Sequence, residues 1–165
     1  MSCILDIDLD YFNQIDSPVE RLRELLHWGS RPMSVVVQKH HHAFRKWRYL
    51  VRHGQLSIPQ FIIHVDEHHD MMDERQNPNL ANFMYHVMCE WPSCKVHWLA
   101  DTVIDHPNMW LGEETWSVLS NRFSYGACIP HDWPKPDLIS VSTSPEFVDN
   151  CLLSKLMDLI PEHRL

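Results

Sequence analysis

Phe61-Ile62-Ile63-His64-Val65-Asp66-Glu67-His68-His69-Asp70 is the stretch on which the fold turns. Its first part is a short apolar run behind Pro59, rich in β-branched residues, which reads as a buried strand. Its second part crowds ligand-type side chains into the residues where that strand must end. In an open α/β sheet the carboxyl ends of the strands are where ligands bind. Asp66, His68 and Asp70 are thereby delivered to one rim of the sheet. Carboxylate and imidazole together suit divalent manganese, iron or zinc. Taken alone, the stretch reads almost equally well as a polar loop whose histidines face water.

Working outward, residues 3–9 alternate apolar and acidic side chains and run on to Asp10. Strand alternation predicts Asp6, Asp8 and Asp10 on one face and Ile7 and Leu9 on the other. Three carboxylates on one face repel one another unless something positive sits among them. A metal is the simplest remedy; the alternative is an edge strand with a solvated acidic face. Residues 34–38 form another buried strand, ending in Lys39-His40-His41-His42. His40 stands closest to the strand end and is the ligand candidate. His41 and His42 are assigned to the exposed start of a helix in which Phe44, Trp47 and Val51 recur at helical spacing. Residues 95–99 and 138–142 are the remaining predicted strands.

The helices are marked by their ends. Ser17 is read as an N-cap, with Pro18 at the first helical position and Glu20 closing a capping box. Leu22, Leu25 and Leu26 form its apolar stripe, and Gly29 ends it. Asn77-Pro78-Asn79 precedes a helix over roughly 80–90 with Phe83, Val87 and Cys89 among its apolar positions. His86 lies in that helix, by default a packed or surface histidine and in the sharper reading a proton-transfer group. Residues 101–133, rich in Pro, Trp and Asn, are predicted to be long loops with one short helical patch near 113–119. Ser144 is predicted to cap a last helix that has Pro145 and Glu146 in its first turn. Phe147, Val148, Leu152, Leu156 and Leu159 would be its buried face. Glu146 either complements the helix dipole or joins the acids at the rim.

Length and composition set the bounds. The 165 residues predict a single domain, 1–165, large enough for a real core. A formal net charge of -8 argues against nucleic acid, whose phosphates need a positive footprint. Five cysteines, an odd number with no C-x-x-C pair and no signal peptide, predict reduced thiols in a cytoplasmic protein. No apolar run approaches the ~20 residues that span a bilayer. Strands alternating with helices predict an α/β fold: three αβα layers around a mostly parallel, doubly wound sheet.

Three strand ends carrying Asp-x-Asp, His40 and Asp66-x-His68-x-Asp70 supply enough ligands for two divalent ions sharing carboxylates. Paired ions lower the pKa of water, so the implied chemistry is hydrolysis of an uncharged or cationic carbon centre, or of a phosphate ester. The segment DEHHD (66–70) resembles the D-A-H-x-D signature of the arginase and agmatinase superfamily. DIDLD (6–10) is similar to its S-x-D-x-D strand, and VVVQKH (35–40) to its strand ending in G-G-D-H. The sequence most resembles a small arginase-like family with DIDLDFF, VVEDHH and HIDSHxD segments, which includes the peptide arginases of ribosomal-peptide biosynthesis. The segments ANFMYHVMCEWP and STSPEF take part in the likeness.

That resemblance implies an arginase/deacetylase-like fold and a dimanganese site that converts arginine residues of a precursor peptide to ornithine and urea. It makes His40, Asp66, His68 and Asp70 metal ligands, together with Asp8 and either Asp10 or Asp6, Asp10 being preferred. Asp66 would be central to catalysis, Glu146 would hold the guanidinium and His86 would transfer protons. It implies neither nucleic-acid nor membrane partners and leaves a homo-oligomer open. Two departures stand out: the Asp-x-Asp strand comes before the D-x-H-x-D strand instead of after it, and the chain is short, so the pocket would be open, as a peptide requires. The same metal site would also serve a free guanidino compound or an acetylated amine, or hold a structural ion in an interaction module.

Overall fold

The structure, a computed structural model, describes residues 1–30, 34–100 and 105–160. Six strands form one sheet: β1 (Cys3–Asp8), β2 (Ser34–Val37), β3 (Phe61–Val65), β4 (Lys95–Leu99), β5 (Phe123–Gly126) and β6 (Leu138–Ser142). Their order is β2-β6-β1-β3-β4-β5, and every pairing is parallel. The helices are α1 (Pro18–Gly29), α2 (His40–Arg52), α3 (Phe83–Glu90), α4 (Glu113–Leu119) and α5 (Asn150–Met157).

Alternation along the central strands sorts the core into two layers. Cys3, Leu5 and Ile7 join Ile63, Val65, Ile139 and Val141 under Leu22 and Leu25 of α1 and Leu156 of α5. Ile4, Ile62, Val96 and Leu138 face the other way, against Phe44, Trp47 and Leu50 of α2 and Phe83, Val87 and Met88 of α3. The result is the expected three-layer αβα arrangement. Parallel strands buried on both faces require such near-continuous apolar sequence. The chain leaves β1 for β2 on one side and returns to β3 on the other. The carboxyl ends of β1 and β3 therefore flank a switch point, the crevice where such sheets bind ligands.

Several local expectations are corrected. The first strand stops at Asp8, and residues Leu9–Gln14 turn as a 3₁₀ helix. The turn is set by Asp8, whose Oδ1 accepts from the Asp10 amide at 3.3 Å. Ser17 precedes α1 but makes no side-chain cap, so the capping box with Glu20 does not form. Gly29 is still helical, and the left-handed C-cap is Ser30 (φ 50°). A Cβ on Gly29 would lie 2.8 Å from Ile139 Cδ1, so close helix–sheet packing explains this glycine.

The expected long loop contains β5, a sixth strand paired to β4; the part of that loop at 101–104 lies outside the described residues. The last helix begins at Asn150, because Asp149 caps it through bonds from the amides of Cys151 (2.9 Å) and Leu152 (3.2 Å). Ser144 is left-handed (φ 40°) and its hydroxyl is engaged elsewhere, so Ser144, Pro145, Glu146 and Phe147 make a turn in which Phe147 is exposed. No helix among the described residues is long and apolar enough to cross a membrane.

All five cysteines are free. Burial pushes the thiols of Cys3 and Cys94 up to about 12, while Cys89, Cys128 and Cys151 are exposed. A thiol reagent added to the folded protein is therefore expected to modify the three exposed cysteines quickly, and Cys3 and Cys94 only on unfolding. Rapid modification of all five without denaturant would contradict this packing.

Candidate metal centre

Asp6 and His64 are register partners on adjacent strands, and their side chains share the face turned toward α2 and α3. Asp6 and Asp8 lie on that face of β1, His64 and Asp66 on the same side of the β3 end. His40 enters as the first residue of α2. The positive end of that helix therefore points at the carboxylates, a favourable dipole interaction. Phe83 closes the floor, its ring centroid 4.5 Å from His40 and 5.7 Å from His64. On β6, Ser140 and Ser142 stand beside Asp6 and Asp8, both small and fully buried.

The turn after β3 is fixed by its own polar groups. Asp66 Oδ1 accepts from the His68 amide (2.7 Å), and the Asp66 carbonyl accepts from Trp98 Nε1 (2.9 Å). Asp70 adopts a left-handed backbone (φ 51°), and its carbonyl receives the amide of Met84 in the first turn of α3 (3.1 Å). The hydroxyl of Ser144 donates to Asp8 Oδ2 at 2.8 Å.

At the centre, Asp6 Oδ2 accepts from His40 Nε2 (2.8 Å) and from His64 Nδ1 (3.1 Å). An ionised carboxylate only accepts, so those two nitrogens carry hydrogens. The other ring nitrogens then face the remaining acids. His40 Nδ1 is 2.7 Å from Asp66 Oδ2, 3.0 Å from Asp8 Oδ2 and 3.3 Å from Asp70 Oδ2. His64 Nε2 is 3.8 Å from the same oxygens of Asp66 and Asp70. Neither nitrogen makes an aligned hydrogen bond, nor do Asp6 Oδ1 and Asp10 Oδ1.

Orphaned donors packed this tightly around shared space are what a cation satisfies. Ligand atoms about 2.1 Å from one ion and at right angles to each other lie about 3 Å apart, the spacing seen around His40 Nδ1. Among the described residues, Asp8–His40–Asp66, Asp10–Asp66–His68, His64–Asp66–Asp70 and Asp6–His40–His64 each bring ligand atoms within 4.8 Å of one another. Mixed carboxylate and imidazole donors suit a divalent transition ion, so these groups could hold a metal ion. Asp66 belongs to three of the groups.

The charges tell the same story. Burial, with the charges of Asp66 and Asp8 close by, pushes the Asp10 carboxyl up to about 9. Burial and Asp66 push Asp70 up to about 7. Burial works against the charge on Asp66, but His40 and His68 hold its carboxyl well below the usual range. Contact with Asp66 lifts His68 to about 9, and His40 is raised as well, since Asp6 and Asp8 outweigh the burial that would lower it. Without a metal, protons neutralise the cluster.

The cluster forms one wall of a cleft of roughly 200 Å³ whose lining includes Asp8, Asp10, His40, Asp66, His68 and Asp70. Met72, Leu80, Ala81, Ser144 and Phe147 join them, and no lysine or arginine stands among the described lining residues. All the sequence-predicted ligands thus converge here: Asp8, Asp10, His40, Asp66, His68 and Asp70 at the cleft and Asp6 behind His40. His86 does not join them; its Nε2 bonds the Arg75 carbonyl at 2.8 Å. Glu146 is exposed and stands in an adjoining crevice, 3.4 Å from Lys39 Nζ. His64 and Ser144 were missed as site residues. His64 was readable, because period-two alternation puts it on the face of Asp66. Ser144 depends on a left-handed turn that no local pattern announces.

No family model, curated protein or solved structure matches this chain.

The pKa shifts make a signed prediction. In the folded, metal-free protein Asp10 keeps a proton up to about pH 9 and His68 does likewise, whereas the unfolded chain releases them near 4 and 6.5. Because the folded state binds more protons in that window, raising pH through it costs stability. Metal-free protein is expected to melt at progressively lower temperature from about pH 6 to about pH 9, and added Mn²⁺ to reverse the trend as it displaces the protons. A melting temperature that rises with pH, or that Mn²⁺ leaves unchanged, would contradict this.

Proposed function

We propose that this chain is a dimanganese hydrolase of the arginase-like kind, which converts arginine residues of a peptide to ornithine with release of urea. The observation that carries the proposal is the placing of Asp66 between two carboxylate–imidazole groups, Asp8–His40 and Asp10–His68, at the carboxyl rim of a parallel sheet. A carboxylate shared in this way is what a two-ion site needs. The motif resemblance points the same way. The strands carrying its two acidic motifs, β1 and β3, are hydrogen-bonded neighbours, so the reversed order in the chain still leaves the motifs side by side.

In this proposal Asp8, His40, Asp66 and Asp70 would hold one ion, and Asp10, Asp66 and His68 the other. When bound, such ions supply Lewis acidity and make water nucleophilic near neutral pH. The protein does the rest. Asp6 holds His40 by its Nε2, so that Nδ1 faces the acids; this is the usual device for fixing a ligand's tautomer and aim. Ser144 does the same for Asp8. Met72, Leu80 and Phe147 line the cleft around the acids and suit the aliphatic arm of arginine, with its cationic end toward the carboxylates. Hydrolysis adds water to the guanidinium carbon, breaks its bond to the side-chain nitrogen and protonates the departing amine. The absence of lysine and arginine among the described lining residues disfavours an anionic ester as substrate.

The test is urea release from an arginine-containing peptide with Mn²⁺. Wild type is expected to turn over, and Asp66→Ala to lose at least about a thousandfold of kcat/KM, roughly 4 kcal/mol of transition-state stabilisation. The peptide is expected to be used better than free arginine. Folded, metal-loaded wild type that releases no urea from any arginyl peptide would refute the assignment.

A further inference from the structure

A second surface feature adjoins the cleft. The face of α2 turned away from the core carries His42, Arg45, Lys46 and Tyr49, at spacing i, i+3, i+4 and i+7, so they form one stripe. The buried stripe of the same helix is Ala43, Phe44, Trp47 and Leu50. The outer stripe borders a groove of roughly 510 Å³, lined also by Val37 and Gln38 at the end of β2. Within this acidic protein, α2 contains no acidic residue at all. Arg45 and Lys46 are exposed and make no ion pair among the described residues. The sheet order leaves β2 at one end, paired only with β6, so its other edge has no strand partner among the described residues.

The groove also neighbours the metal-centre cleft. A small crevice lined by Gln38, Lys39, Leu80, Ser144, Glu146 and Phe147 shares Leu80, Ser144 and Phe147 with the cleft and Gln38 with the groove. Among the described residues lining this crevice and groove the one carboxylate is Glu146, and it faces Lys39. Such an exposed pair is weak, so it yields to a competing anion.

We propose that the groove between α2 and the β2 edge is a docking site for an acidic, extended segment of the peptide substrate, whose target arginine sits in the adjoining cleft. An extended chain supplies backbone groups to an unpaired strand edge, and its carboxylates meet Arg45, Lys46 and His42. The proposal builds on the peptide-hydrolase assignment but is tested separately from it. A simpler use of edge charges, keeping the strand from pairing with other molecules, would give no preference for acidic peptides.

The experiment is fluorescence anisotropy at low salt with two labelled arginine-containing peptides, one flanked by a run of glutamates and one by a run of glutamines. Wild type is expected to bind the acidic peptide about tenfold more tightly, as two or three exposed charge pairs allow. Asp66→Ala is expected to keep that preference, and Arg45→Glu/Lys46→Glu to abolish it while its circular dichroism is unchanged. Arg45→Gln/Lys46→Gln is expected to fall between. Hydrogen exchange of residues 35–37 is expected to slow in the complex. Equal binding of the two peptides, a preference that survives the charge reversal, or equal binding of a single-stranded oligonucleotide of the same charge would each overturn the proposal. Tight, charge-dependent binding without urea release would keep the docking site and remove the hydrolase assignment; urea release from peptides that bind equally would do the reverse.

Discussion

Everything at the functional end of this protein depends on burying five aspartates, Asp6, Asp8, Asp10, Asp66 and Asp70, beside three histidines. Unpaired buried carboxylates are among the costliest groups a fold can carry. Asp6 takes hydrogen bonds from two imidazoles, Asp8 from the Ser144 hydroxyl and Asp66 from the His68 amide. The acids also converge on nitrogens and on each other, and two of them hold protons at pH values where a free aspartate would have none. A metal ion is the partner that such a cluster could take up. In the proposed metal centre protons and metal would compete for the same atoms, so its occupancy and the stability of the fold would be one equilibrium.

The scaffold bears the cost of holding that arrangement. Parallel pairing fixes Asp6 against His64 and brings Asp8 level with Ser142, so the acidic face is set by register and not by flexible loops. The switch in direction between β2 and β3 opens the crevice above it. Asp70 and Ser144 are non-glycine residues with left-handed backbones, and both lie against the cluster. Strain of this kind persists where surrounding structure over-determines it: Asp70 is held through its carbonyl on α3, Ser144 through its hydroxyl on Asp8. Around the acids, Phe83 closes the floor and Met72, Leu80 and Phe147 line the cleft, so the charged groups lie beside apolar side chains.

Much of this was legible in the residues. The apolar runs at 34–38, 61–65, 95–99 and 138–142 carry enough β-branched and bulky side chains to declare buried strands, and their ligand-rich ends announce the rim. What could not be read follows from tertiary context. β5, Phe-Ser-Tyr-Gly, is short and half exposed, so it has neither the apolar run of a central strand nor a clear alternation. Asp10 was expected on the strand, and only the bond from its amide to Asp8 shows that the chain has already turned. Ser144 and Pro145 look like a helix start, but the hydroxyl is committed to Asp8 and Asp149 caps the helix instead. Glu146 and His86 have plausible residue types and spacings, yet one faces Lys39 outside the cleft and the other is tied to a backbone carbonyl. Residue type located the metal centre; only packing separates the side chains that line it from those that stand nearby.

The most direct measurement is anomalous diffraction at the manganese edge from crystals grown with Mn²⁺. Two peaks are expected in the cleft, one bounded by Asp8, His40, Asp66 and Asp70 and the other by Asp10, Asp66 and His68, with the Asp66 carboxylate touching both. An empty cleft in crystals that hold manganese elsewhere, or a bound ion that Asp66 does not touch, would contradict the shared-carboxylate centre.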